Sequence, residues 1–206
     1  MTQDRTKIIL ATHNEHKFTE IKAILQELPI ELVSLNEYPQ IPVIEETGNT
    51  FVENAVLKAK TVFEYTQQWS IADDSGLEVF ALNGSPGIYS ARFAGDHHDY
   101  HENNEKLLNA LRNVTPQKRK AQFRCVAAII GPGFKEIMEG IVQGRIITEL
   151  RGNNGFGYDP LFIPEGYDKT FAELSEETKN QISHRALAFE KVKEVLKNII
   201  FIPYSQ

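Results

Sequence analysis

Ile8, Ile9, Leu10 and Ala11 form an unbroken apolar run that gives way, across the polar stretch "THNEHK", to a helical spacing: Phe18, Ile21, Ile24, Leu25 and Leu28. A short all-apolar run suits a strand buried on both faces, and a three-to-four period suits a helix with one buried face. A chain that opens strand, loop, helix is restricted to folds that mix the two. The alternation continues downstream. Val52, Ala55, Val56, Ala59, Val62 and Phe63 predict a second helix, with Thr50 and Glu53 spaced as a capping box at its start. Ile71–Ala72 and Leu77–Phe80 read as short strands, and "AQFRCVAAIIGPGFKEIMEGIVQGRI" as a hairpin or meander about Gly131-Pro132-Gly133. Leu161–Ile163 adds a strand, and Ile182, Ala186, Phe189, Val192, Leu196 and Ile199 share one face of a last helix. The fold class expected is α/β or α+β with a mixed sheet.

No repeat, low-complexity tract or long linker marks a boundary, so residues 1–206 are read as one domain, of a size that also allows two lobes sharing one sheet. The longest apolar run, Cys125–Ile130, is far below the roughly 20 residues of a membrane helix, and the N-terminal apolar patch is too short for a secretory signal. A single cysteine, Cys125, cannot pair internally, which suits a reducing cytoplasm. Lys and Arg number 22 against 28 Asp and Glu, so duplex nucleic acid is a poor partner. A small phosphorylated ligand is compatible with that balance only where lysines, helix N-termini or a cation meet it locally.

Four segments have the residue types that such a site needs. The first, Thr12, His13, Asn14, Glu15, His16 and Lys17, leads from a strand end into a helix, where unpaired N–H groups favour anions. Lys17 in a first helical turn opposes the helix dipole unless an anion lies near; a solvated loop with Asn14 as helix cap accounts for the segment equally well. The second is "IADDSGL", residues 71–77. On an extended backbone Asp73 and Asp74 point to opposite faces, and Ser75-Gly76 is expected to bend the strand end. With the pair Glu45-Glu46, a carboxylate from each would make a hard-oxygen site suited to Mg²⁺; the plain alternative is an Asx-turn. His97, His98 and His101 lack a matching ligand group and read as a solvated loop.

The third segment, "GNNGFGYDP", carries Phe156, Gly157, Tyr158 and Asp159, rings among small residues that suit stacking on a base, or that pack the loop onto the core. In the fourth, Lys179, His184 and Arg185 sit at or just before the last helix, where three donors oppose its dipole and suit a carbonyl or phosphate opposite. A salt bridge to Glu173, Glu176 or Glu177 is the alternative.

Taken in order, "ATHNEHKFTEI", "EETGNTFVENAVLKA", "IADDSGLEV", "GSPGIYSARFAG", "GFGYDPLF" and "AELSEETKNQISHRA" resemble the inosine triphosphate pyrophosphatase family, over residues 11–186. The resemblance implies an elongated mixed sheet flanked by helices, two lobes with a substrate cleft between them, and a homodimer. It also implies Mg²⁺-dependent cleavage of non-standard purine nucleoside triphosphates (ITP, dITP, XTP) between the α- and β-phosphates. Carried over by motif, Thr12–Lys17 would cradle the triphosphate, and Glu45 and Asp74 would hold Mg²⁺, with Asp74 the general base. Ser75 would touch substrate, and Phe156–Asp159, Lys179, His184 and Arg185 would surround base and phosphates. Asp73 is expected to satisfy itself locally. Two other functions stay open on the residues alone: a pyrophosphatase for other nucleotides, and a nucleotide-binding regulatory module without hydrolysis.

Overall fold

The computed structural model describes residues 5–95 and 99–201. Among the described residues the strands form one six-stranded sheet in the order β2-β1-β3-β4-β5-β6. These are β1 (Thr6–Leu10), β2 (Ile30–Ser34), β3 (Trp69–Val79), β4 (Lys120–Gly131), β5 (Phe134–Ile146) and β6 (Phe162–Pro164). β1 runs parallel to both β2 and β3, with Ile8 opposite Leu32 on one side and Trp69 on the other. β5 and β6 are antiparallel, with Arg145 opposite Ile163. The helices are α1 (Glu15–Leu25), α2 (Phe51–Thr66), α3 (Tyr100–Ala110), α4 (Glu176–Ile182) and α5 (His184–Phe201). The mixed α/β class read from the alternation is the one observed.

Chain contacts divide the molecule into two compact units. One comprises the chain up to Asp74, Val126–Glu139 and the chain from Ala186; the other comprises Ser75–Cys125 and Gly140–Arg185. In the first, Ile8, Ile9 and Leu10 of β1 are buried in succession, as a parallel strand covered on both faces requires. Ile21, Ile24 and Leu25 of α1 and Ala186, Phe189, Val192 and Leu196 of α5 are buried in this unit too. In the second, Leu77, Val79, Leu107, Leu111, Phe123, Tyr158, Phe162 and Phe171 form a core cluster.

Four local readings are corrected. β3 runs unbroken through Ser75-Gly76, so the aspartates lie inside a strand and not at a bend; their charges are matched by lysines, described below. The last helix begins at His184. The Ser183 N–H closes α4 on the Lys179 carbonyl and its ψ of 158 is extended, so Ile182 belongs to α4. β2 and α3 had no clear sequence signal. In α3 the buried side chains include Asn103 and Asn104 beside Leu107, which blurs the apolar period. His101 therefore lies on a helix, 3.8 Å from Glu105, while His97 and His98 fall outside the described residues. The hairpin about Gly131–Gly133 is present, and Thr50 caps α2 by accepting from the Glu53 N–H at 3.1 Å. The Glu53 carboxylate reaches back to the Asn49 N–H instead of the Thr50 N–H the capping box predicts.

Candidate active site

In the first unit, β1 delivers the chain into a tight polar turn. The Thr12 hydroxyl accepts from the Asn14 N–H at 3.1 Å, and Asn14 caps α1 by accepting from the Lys17 N–H at 3.1 Å. His13 meets the Asn36 carboxamide at 2.7 Å, and the Asn36 amide also binds Glu15. His16 is exposed. Lys17, out of place by its helix dipole, lies 3.0 Å from Asp73, whose side chain is fully buried. The anion that makes Lys17 tolerable is thus the protein's own, and Asp73 is paired through its Oδ2 with a cation from another element.

Asp74 has different neighbours, as an extended strand dictates. Asn54 donates to its Oδ2 at 3.0 Å, and the Lys58 ammonium lies 3.6 Å from its Oδ1. Lys58 in turn donates to Glu46 at 2.5 Å. Burial pushes the Asp74 carboxyl above the usual aspartate range against the pull of Lys58, and the Glu46 charge adds to the rise. Burial disfavours the Lys58 ammonium as well, but Asp74, Glu46 and Asp73 more than offset it and hold the group above the usual lysine value. Glu46, Asp73 and Asp74 thus gather hard oxygen donors around Lys17 and Lys58 in this cluster. Of the two glutamates, the structure brings Glu46 to Asp74; Glu45 is exposed, its carbonyl accepting from the Thr47 N–H.

Asn54 and Lys58 went unread in the sequence although a signal for them exists. They occupy the same buried stripe of α2 as Phe51, Ala55, Ala59 and Val62, where an amide and an ammonium are costly unless matched. Val52, expected on that stripe, is 39% exposed.

In the second unit the Gly-rich loop is fastened by Asp159. Its carboxylate accepts from the Phe156 N–H at 2.9 Å and from Lys179 at 2.6 Å. Gly155 has φ 73, and a Cβ there would collide with that carboxylate, so glycine is required on both counts. Lys179 pairs with Asp159 at 2.6 Å and stands in the last turn of α4, where a cation is favoured. Only His184 and Arg185 stand at a helix start.

The Phe156 ring is half-buried, with Lys179 4.9 Å and Arg185 5.6 Å from its centroid. The buried Arg185 guanidinium donates to the Ser75 hydroxyl at 2.9 Å, and His184 stacks on Phe123 at 4.6 Å. Tyr158 is turned into the core, donating to the Ser90 carbonyl at 2.9 Å; burial pushes its phenol well above the usual range. Asn104 of α3 holds the loop from outside, donating to the Gly157 carbonyl at 2.9 Å. The four sequence segments thus resolve into two groupings. Lys17, Glu46, Lys58, Asp73 and Asp74 form the first, and Ser75, Phe156, Asp159, Lys179 and Arg185 form the second.

The sequence profile of the Ham1 family matches residues 8–195. The chain belongs to the Ham1 family. A dITP/XTP pyrophosphatase of Desulforamulus reducens is 48% identical over 94% of this chain and 96% of its own. One of Listeria monocytogenes is 49% identical over 95% and 97%. Among solved structures, the Staphylococcus aureus Ham1 protein is similar at a TM-score of 0.85 and 44% identity, over 94% of this chain and all of that one. A Coxiella burnetii HAM1 protein gives 0.86 at 41%, over 94% and 99%. The pyrophosphatase resemblance read from six motifs agrees with the names of these Ham1 relatives.

Proposed function

We propose that this protein hydrolyses non-standard purine nucleoside triphosphates, dITP, ITP and XTP, to the nucleoside monophosphate and pyrophosphate. The observation that carries the reading is Asp74: a buried carboxylate, its pKa raised by that burial, set between Lys58 and Asn54 and joined through Lys58 to Glu46. A carboxyl so tuned is suited to take a proton from water. In the reaction the water proton passes to Asp74, the water oxygen bonds phosphorus, and the α–β bridging P–O bond breaks as pyrophosphate leaves.

The donor set fits Mg²⁺. Asp74 and Glu46 would hold it, with water and substrate phosphates as the further oxygen donors Mg²⁺ favours. Among the described residues no three His, Cys, Asp or Glu side chains are grouped as a metal cage. When bound, the ion supplies charge neutralisation at the phosphates. Glu46 takes the role first assigned to Glu45. Lys17, Lys58 and the Thr12–Lys17 turn meet the anionic tail. Phe156 with its flanking Lys179 and Arg185 suits a flat base, and donors such as Arg185 and His184 favour a 6-oxo purine over adenine, whose amino group would face donor against donor.

The enzyme is proposed to act as a homodimer in the cytoplasm, which light scattering on the purified chain and cell fractionation check. No described helix is long and apolar enough to cross a membrane. The deciding experiment incubates the protein with ITP, dITP, XTP and the common nucleoside triphosphates, with and without Mg²⁺, and measures pyrophosphate separately from orthophosphate. Pyrophosphate released from ITP, dITP and XTP in preference to ATP is expected; predominant orthophosphate contradicts α–β cleavage.

A further inference from the structure

Asn54 is completely buried, and both ends of its carboxamide are engaged. Its Oδ1 accepts from the Gly48 N–H at 2.8 Å, and its Nδ2 donates to Asp74 Oδ2 at 3.0 Å. A backbone N–H can only donate, so rotating the amide would set donor against donor at Gly48. The NH₂ end is therefore committed to Asp74. We propose that Asn54 is a positioning residue for catalysis, a neutral clamp that fixes the plane of the Asp74 carboxylate and the turn leading from Glu46 at the same time.

Gly48 supports this independently. A Cβ there would fall 2.6 Å from Asn54 Oδ1 and 2.7 Å from Glu53 Cβ. Its backbone lies outside the left-handed region, so the glycine answers a close approach and not a dihedral demand. The Asn49 N–H to Glu53 bond at 2.6 Å and the Thr50 cap hold the rest of the turn against the first turn of α2. One buried amide thus ties the loop carrying Glu46 to the strand carrying Asp74. The two Asp74 oxygens become unequal, Oδ2 held by the amide and Oδ1 facing Lys58.

This inference rests on the reading of Asp74 as general base, and the experiment separates the two. Asn54→Ala, Gly48→Ala, the double variant and Asp74→Asn are compared with XTP and Mg²⁺, alongside thermal melts and NMR amide exchange. Each single variant should lose kcat by about 10–100-fold, the scale of a misplaced reacting group, with KM within about threefold. The double variant should be no worse than the worse single, since both break one tie. Exchange at the Gly48 amide should quicken in Asn54→Ala while β1 amides keep their protection. If Asn54→Ala does not fold, Gly48→Ala, which retains the amide, carries the same kcat criterion. A kcat within about twofold of wild type, losses that multiply in the double variant, or a kcat loss that follows the melting temperature overturns the inference. Turnover persisting in Asp74→Asn overturns the base assignment instead.

Discussion

Asp74 is expensive to keep where it is, and that expense is the clearest residue-scale sign of chemistry. Asp74→Asn should keep the fold, with a melting temperature within a few degrees of wild type, and should lose turnover by about 100–10,000-fold, the usual worth of a general base. Circular-dichroism melts and pyrophosphate release check the two halves. Because burial raises its pKa, the acid limb of kcat/KM should lie above the ordinary aspartate value of 3.8, with activity lost as pH falls through it. Bound Mg²⁺ would lower the limb, so it is read at limiting Mg²⁺, where a position at or below 3.8 rules out Asp74 as the group. The same shift has the opposite sign for stability. A raised folded pKa favours the protonated fold, so the contribution is present below the unfolded value and lost as pH rises through the folded one. Asp73 and Lys17 show the other way to keep a buried charge, by a partner at 3.0 Å.

At the scale of elements, the site is placed by the ends and stripes of a few helices and strands. Thr50→Ala removes the cap of α2, the helix bearing both Asn54 and Lys58, and should cost about 1 kcal/mol in chemical denaturation. Gly144→Ala should destabilise more, by about 1–3 kcal/mol in the same assay, because a Cβ on β5 would strike the Ile163 carbonyl of the paired β6. Elements with a clean apolar period were legible in sequence: β1, α1, α2 and the β4–β5 hairpin. α3 was not, because Asn103 spends its buried carboxamide on Ala91 and Ala94, and Asn104 on Tyr100 and Gly157. Polar side chains doing the work of core residues break the very pattern by which a helix is recognised.

For the whole molecule, an acidic chain handling a polyanion predicts dependence on a divalent cation. Removing Mg²⁺ with a chelator should abolish pyrophosphate release and leave the far-ultraviolet circular dichroism unchanged, because the packed cores of the two units contain no cation-dependent tie among the described residues. Release that continues at full rate in chelator sinks the metal assignment. The net charge of −6 is general, whereas Lys17 and Lys58 are local; in the proposed function a divalent cation together with these lysines meets the phosphates that the chain repels on average.

The sequence by itself determined the mixed α/β class and the family and picked out the segments proposed to carry chemistry, because strand and helix periods and short motifs are local properties of the chain. Only the tertiary structure decided which charge meets which. Asp73 goes to Lys17 and Asp74 to Lys58 and Asn54, Glu46 and not Glu45 joins them, and Lys179 turns to Asp159. The reason is physical. The energy of a buried charge depends on partners within a few ångströms, and those partners lie up to 56 residues away along the chain, as Lys17 does from Asp73.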